Sequence, residues 1–264
     1  MLQIIHEDNL KYLESLEDNN IDFIYIDPPF NTGNTQILNR QKTVDGKKQI
    51  ISQLEYEDKF FHEAYLAWIQ DRLVQAHRVL KSTGSMLVHL DWREVHYVKV
   101  LLDRIFGREN FINEIIWAYD YGAKQKNKWP TKHDNILFYV KDSENYTFNH
   151  DKMWRLEYMA PGLAGKEKAE RGKVCTDVIF HTICPTQGTE RTGYPTQKPV
   201  KLIKKLIEVH TNPGDLCLDF FAGSGTLGEA CEELGRDCIL VDKNVEAIQV
   251  MNKRFSKFES GGEI

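Results

Sequence analysis

Short apolar runs alternate along the chain with segments whose apolar residues recur at helical spacing. Leu2 to His6 is a short apolar run that stops at Glu7-Asp8-Asn9. Leu10 to Leu16 then shows helical spacing, with Asp8 or Asn9 placed to cap it. After a turn at Asn19-Asn20, Ile21 to Ile26 is apolar and β-branched, the pattern of a strand buried on both faces. It ends at Asp27-Pro28-Pro29-Phe30, because neither proline has an N–H to give to a ladder. Phe60 to Leu80 predicts an amphipathic helix with Tyr65, Trp68, Ile69, Leu73, Ala76 and Leu80 on one side. A strand over Ser85–Leu90 and a helix over Val95–Phe106 follow, the helix closed by Gly107. Phe111–Trp117 and Asn135–Val140 read as a hairpin pair of strands. Further on, the pattern predicts a helix over Lys198–His210 capped around Thr196, a strand over Leu216–Phe220, a helix over Leu227–Leu234, a strand over Cys238–Val241 and a helix over Val245–Phe255. Two stretches break the rhythm. Residues 31–58 are polar and aperiodic, which predicts a long flexible loop directly after Phe30. Residues 141–195 are irregular and mixed in charge, which predicts a separate small subdomain. Alternation of strands and helices at both ends of the chain predicts an α/β fold, a mainly parallel sheet with helices on both faces.

Composition adds limits rather than direction. Of the 264 residues 41% are hydrophobic and 28% charged, an ordinary globular balance. No apolar run approaches the length of a membrane span, and the start MLQIIHEDNL lacks the features of a secretory signal, so no membrane partner is expected. Five cysteines form no CxxC pair and no Cys/His set with ligand spacing, which fits reduced thiols and a cytoplasmic location. His89 and His96 have no third ligand at sensible spacing, so no metal is expected. The net charge of −5 argues at first against nucleic acid. Its distribution argues otherwise: residues 121–210 carry 16 Lys+Arg against 10 Asp+Glu, while residues 1–120 carry 13 against 19 and residues 211–264 carry 5 against 10. A basic middle between acidic flanks is a local surface for phosphate.

Candidate chemistry lies in two places. Asp27 and Phe30 are held at the carboxyl end of a strand, where open α/β sheets place their ligands. Near the other end, LCLDFFAGSGT (residues 216–226) is a strand ending at Asp219, then a loop with Gly223 and Gly225, then a helix start. Glycines there allow a ligand to approach the backbone, and the helix start offers unpaired N–H groups. GSGTLG satisfies the GxGxxG string, while the GK[ST] of a P-loop is absent. Asp242, at the end of the next strand, can accept both hydroxyls of a ribose. On these residues alone, NAD and S-adenosylmethionine fit equally.

DPPF followed downstream by LDFFAGSGT resembles the β group of amino-group DNA methyltransferases that depend on S-adenosylmethionine. GYPTQKP (193–199), NEIIW (113–117) and KHDNILFY (132–139) match that group in order, and the resemblance covers nearly the whole chain. It implies a class I methyltransferase-like sheet in circularly permuted form, opening on what is usually the third strand. It implies a cofactor site gathered from both chain ends: Asp8, Thr196, Lys198, Asp219, Phe221, Ala222, Gly223, Ser224, Gly225, Thr226 and Asp242. It also implies Asp27, Pro28, Pro29 and Phe30 as the catalytic tetrapeptide. Asp27 and the Pro28 carbonyl would accept the target amine, and Phe30 would stack on a flipped base. The acid at the first position of DPPF resembles the adenine-N6 enzymes. Cytosine-N4 methylation on the same scaffold stays open. A dinucleotide-binding oxidoreductase accounts for GSGTLG and Asp242 but leaves DPPF unexplained.

The expected organisation is a catalytic half over 1–140 with the flexible loop 31–58, a target-recognition region over 141–195, and a cofactor-binding half over 196–264. Double-stranded DNA is the expected partner, with Lys124, Lys126, Lys128, Lys132, Arg155, Arg171 and Arg191 as contacts. Trp117, Tyr119 and Tyr121 are candidates to line the base pocket. The resemblance also admits a homodimer and a cognate restriction enzyme.

Overall fold

The apolar runs fold as strands and the helically spaced segments as helices in a computed structural model whose described residues are 1–44, 47–58, 62–122, 125–184, 188 and 190–259. In chain order the elements are β1 (Leu2–His6), α1 (Asn9–Ser15), β2 (Ile21–Ile26), β3 (Asn34–Val44), β4 (Lys47–Asp58), α2 (His62–Val79), β5 (Leu80–Leu90), α3 (Val95–Phe106), β6 (Phe111–Ala118) and β7 (His133–Val140). They continue as β8 (Arg155–Leu156), α4 (Pro161–Ala164), α5 (Lys166–Arg171), β9 (Lys173–Val174), β10 (Val178–Phe180), α6 (Val200–His210), β11 (Leu216–Asp219), α7 (Thr226–Leu234), β12 (Asp237–Asp242) and α8 (Val245–Glu259).

Among the described residues, eight strands form one sheet in the order β1-β12-β11-β2-β5-β7-β6-β10. Every neighbouring pair is parallel except the two made by β7. β2 shows how the sheet is covered. Phe23 and Tyr25 pack into one core with α6, α7 and α8, while Ile24 and Ile26 pack into the other with α1, α2 and α3. Both faces of the strand are therefore dry, which is why its sequence is continuously apolar rather than alternating. Each such side chain contributes about 1.5–3 kcal/mol through burial.

The permuted order follows from pairing. β11 and β12 come last in the chain, yet β12 lies between β1 and β11, and β11 lies beside β2. Cys217 is opposite Phe23, and His6 is opposite Asp242. The carboxyl ends of β1, β12, β11 and β2 thus share one edge, drawing both chain ends to one place.

Three expectations are corrected. Residues 31–58 do not form a loop: β3 and β4 pair as an antiparallel hairpin, with Val44 opposite Lys47. In the sequence Asp45-Gly46, which lie outside the described residues, are a hairpin signal that the polar composition hid. Residues 141–195 are not separate, because β10 extends the main sheet beside β6 and the Asn149 amide donates to the Thr211 carbonyl at 2.9 Å. The helix after GYPTQKP starts at Val200, with Pro199 as its N-cap, and Thr196 has φ 59°. A residue before proline is driven out of the helical region, so Lys198 cannot lie in the first turn.

One core group carries a pH prediction. His210, at the end of α6, is 3% exposed among Phe23, Phe138 and Phe148, and burial lowers its pKa to about 3. The unfolded chain binds this proton near pH 6.5 and the folded chain does not. Stability is therefore expected to fall as pH drops from about 6.5 toward 3, by roughly 1.4 kcal/mol per unit from this group. Urea unfolding at pH 7 and pH 5 checks this: His210→Phe should lose about 2 kcal/mol less than the parent over that interval.

Candidate active site

A cavity of about 610 Å³ opens at the carboxyl ends of β1, β12, β11 and β2. Its walls include Asp8, Asp27, Phe30, Lys198, Asp219, Phe221, Gly223 and Asp242. The expected catalytic tetrapeptide and most of the expected cofactor residues are thus brought together.

The cofactor half is built around two turns. Gly223 (φ 50°) and Gly225 (φ 74°) take the left-handed conformation. A Cβ at Gly225 would lie 2.8 Å from the Met251 side chain and 3.1 Å from the Phe255 ring, so this glycine also sets how closely α7 approaches α8. Gly225→Ala is expected to lose roughly 1–3 kcal/mol from backbone strain and overpacking, read as a lower urea midpoint. Gly228 is likewise a packing glycine: its Cβ would meet Leu240 at 2.7 Å. The string GxGxxG therefore reflects helix packing in part. Arg254 on α8 ties the turn down, donating to the Ser224 carbonyl at 2.8 Å and pairing with Glu229.

Asp242 accepts from the backbone N–H of Gly223 (2.9 Å) and of Asn244 (2.8 Å). Burial raises its pKa against the pull of these two donors. Asp219 is buried, and burial pushes its carboxyl well up, helped by repulsion from Asp27 and Asp242. Asp8 caps α1, accepting from Leu10 N–H at 3.0 Å, and its other oxygen faces Arg72 at 3.4 Å. Arg72 also donates to Asn9 Oδ1 at 2.6 Å, and Asn9 donates to the Phe220 carbonyl at 2.8 Å. These bonds lock the end of β1 to the end of β11.

Asp27 is held asymmetrically. Lys198, from the loop before α6, pairs with Oδ2. Oδ1 is buried and has no hydrogen-bond partner among the described residues. Lys198, expected to hold cofactor, lines the cavity, and its ammonium sits on Asp27, 5.1 Å from the centroid of the Phe30 ring. Thr196 is exposed on the rim, its hydroxyl donating to the Pro195 carbonyl at 2.7 Å.

Behind the tetrapeptide runs a buried relay that motif reading missed. The Tyr25 hydroxyl is 2.7 Å from His89 Nδ1, His89 Nε2 is 3.2 Å from Asp134 Oδ2, and the Tyr119 hydroxyl donates to Asp134 Oδ1 at 3.0 Å. Both ring nitrogens of His89 are thus partnered, Nδ1 by the Tyr25 hydroxyl and Nε2 by Asp134. Burial works to raise the Asp134 carboxyl, but the hydrogen bond and charge of His89, the charge of Lys198 and the Tyr119 hydroxyl hold it below the usual range. Phe30 lies 6.1 Å from the His89 ring, tilted by 30°. The available signal was position: His89 is a polar residue at the end of β5, beside β2, and Asp134 one at the start of β7, beside β5. Asn31 (φ 52°) follows Phe30 and donates to Glu94 at 2.7 Å, pinning the exit of the tetrapeptide.

The expected DNA contacts are less gathered. Lys126, Lys128, Arg155, Arg171 and Arg191 are exposed, and Lys132 is half-buried, 3.4 Å from the Gly122 carbonyl. Lys124 lies outside the described residues. Trp117 is core, its ring N–H donating to the His181 carbonyl at 2.7 Å, and Tyr121 is exposed. Among the described residues no helix is long and apolar enough to cross a membrane, and no group of three or more His, Cys, Asp or Glu is placed to hold a metal ion.

Comparison with known proteins bears on what this cavity does. A family profile of N6/N4 methyltransferases, described as DNA methylase, matches residues 21–253. DNA adenine methyltransferase YhdJ of Escherichia coli (strain K12) is 30% identical over 264 residues, covering 95% of this chain and 81% of that one. Type II methyltransferase M.HpaI of Haemophilus parainfluenzae is 29% identical over 262 residues, covering 98% and 76%. Among solved structures, PvuII DNA methyltransferase (cytosine-N4-specific) superposes with a TM-score of 0.69 at 19% identity, covering 96% of this chain and 86% of that one. The M1.HpyAVI–SAM complex gives 0.63 at 23%, covering 97% and 99%. These structures share the fold.

Proposed function

The chain belongs to the N6/N4 DNA methylase family, and from that premise we propose that it transfers a methyl group from S-adenosylmethionine to the N6 amine of adenine in duplex DNA. The observation that carries the reading is Asp27, a residue of the cavity wall: one oxygen is fixed by Lys198, and the other is buried without a partner among the described residues. A dry carboxylate oxygen with no partner is costly unless a ligand completes it. An amine N–H is a fitting partner.

The cavity also fits the cofactor. Four carboxylates, those of Asp8, Asp27, Asp219 and Asp242, line it, and two of its cations, Arg72 and Lys198, face Asp8 and Asp27. Such walls suit a nucleoside bearing a sulfonium better than the pyrophosphate of a dinucleotide. In this reading Asp242 takes the ribose hydroxyls, and Phe221 and Asp8, also on the cavity wall, take the adenine end. When bound, S-adenosylmethionine supplies an electrophilic methyl group.

The residues then act on the base. The target amine is a weak nucleophile, since its lone pair is delocalised, and it is hidden within the duplex, so the base must leave the stack. Phe30 offers an apolar face for it. Asp27 Oδ1 accepts one amine N–H and the Pro28 carbonyl the other, which fixes the nitrogen in line with the methyl. With S-adenosylmethionine bound, Asp27 would stabilise the positive charge that develops on the amine nitrogen during transfer, without reorganising. The amine proton leaves afterwards, and no covalent intermediate with the protein forms. Residues 141–195 with the 121–132 loop supply the DNA-reading surface in this proposal. A homodimer and a cognate restriction enzyme rest on the family resemblance alone.

The test is transfer of labelled methyl from S-adenosylmethionine to DNA of mixed sequence, with the product nucleoside identified by mass spectrometry. N6-methyladenine is expected. N4-methylcytosine would move the reading to the cytosine-N4 enzymes, and cofactor binding without methylation of any DNA would sink it.

A further inference from the structure

The sheet places four exposed aromatic side chains along one edge. β2, β5, β6 and β10 run in one direction and β7 in the other, so the carboxyl ends of the four and the start of β7 lie together. Asp27 to Phe30 follow β2. Along the same edge come Trp92 just after β5, Tyr121 and Trp129 between β6 and β7, and Phe180 at the end of β10. Their exposures are 47%, 57%, 94% and 82%. A tryptophan in full contact with water is costly in a folded protein, and four large aromatics at one edge mark a surface that is covered during function.

The charges around them indicate what covers it. Lys128 Nζ lies 5.4 Å and the Arg93 guanidinium 4.9 Å from the Trp92 ring, so Trp92 is a footing for the loop. Lys126 and Lys128 are exposed beside Trp129. Aromatic faces interleaved with lysines match a phosphate backbone with bases to stack on, and an apolar protein partner would not call for the lysines.

Resting on the proposed function, we propose that Trp129 is a wedge. It enters the duplex beside the nucleotide drawn out toward Phe30 and takes the place of the lost stacking partner, while Lys126 and Lys128 hold the flanking phosphates. Opening a stack is costly, and an aromatic ring that fills the gap offsets that cost.

The test uses a duplex carrying the site read from modified genomic DNA of cells expressing the protein. Trp129→Ala should methylate the fully paired duplex about tenfold or more slowly than the parent, the scale of a lost base–aromatic stack. It should recover to within about threefold on a duplex whose target base is mispaired and already unstacked. With 2-aminopurine at the target position, the parent should raise fluorescence on binding and the variant should not. Trp129→Phe should stay near the parent. Because the side chain is 94% exposed, thermal unfolding should be unchanged, which separates this effect from misfolding. A Trp129→Ala rate within about twofold of the parent on paired DNA overturns the wedge, as does an equal loss on paired and mispaired duplexes. If the parent itself methylates no duplex, the functional reading falls and the wedge with it; if only the variant result fails, the functional reading stands.

Discussion

Asp27→Ala is expected to lower methyl transfer by about a hundred- to a thousandfold while leaving cofactor affinity nearly unchanged. The reason is the division of labour on this carboxylate. Oδ2 is held by Lys198, and Oδ1 is buried with no partner among the described residues, the acceptor in the proposed reaction. Without Oδ1 the amine is no longer held in line, and the positive charge on nitrogen is no longer met by a fixed negative one. The proposed ribose and adenine contacts belong to other residues, so binding of the cofactor should persist. The alanine variant also leaves the Lys198 ammonium, 8% exposed, without its carboxylate, and that alone costs stability. Asp27→Asn is the needed companion, since its amide oxygen still accepts from Lys198 while the charge is gone. Single-turnover transfer of labelled methyl, with calorimetric titration of S-adenosylhomocysteine, reads both effects. A rate within about tenfold of the parent in both variants would remove Asp27 from the chemistry.

The second large effect concerns His89, where a structural loss should appear as a functional one. His89 is fully buried and joins Tyr25 to Asp134. His89→Leu would leave the Tyr25 hydroxyl and one Asp134 oxygen without partners in a dry interior. Each such orphan costs about 1–3 kcal/mol, so a loss of roughly 3 kcal/mol or more is expected. For a chain of this size that corresponds to a fall in Tm of roughly 6–12 °C. Turnover should drop beyond what unfolding explains, because Phe30 leans on the imidazole and Tyr25 lies two residues before Asp27. A Tm within about 2 °C of the parent would show that the relay is not a stabilising unit. His89→Gln, which can both donate and accept, should recover part of the loss.

Much of the site was legible because backbone chemistry announces itself. Two prolines can end a strand but not continue one, so Asp27 and Phe30 had to sit at its end. Glycines that must take positive φ stood where a strand gives way to a helix. The order of these stretches, met with GYPTQKP and the 113–139 hairpin, pointed to the family. Less legible were partners distant in sequence. Lys198 reads as one lysine in a basic segment, and only the packing of the loop before α6 over β2 places it on Asp27, 171 residues away. His89 had been weighed as a metal ligand and found short of partners, since Tyr25 and Asp134 join it only through the pairing of β5 with β2 and β7. The hairpin over 34–58 was hidden by polar composition, which outweighed the Asp-Gly signal.

The sequence by itself determined the α/β class, the strand that ends on DPPF and the glycine turn, because these rest on local rules: apolar period, missing N–H groups and freedom at φ; the permuted order it implied only through the family resemblance, and strand pairing decided it. The tertiary structure alone decided which oxygen of Asp27 is held and which is buried unpaired among the described residues, that Gly225 and Gly228 serve helix packing, and that Trp92, Tyr121, Trp129 and Phe180 share the edge beside the pocket. Those facts depend on strand order and register, which bring residues together across the whole chain. The strand ending on Asp27 thus carries its chemistry locally, while its partners are assembled by the sheet.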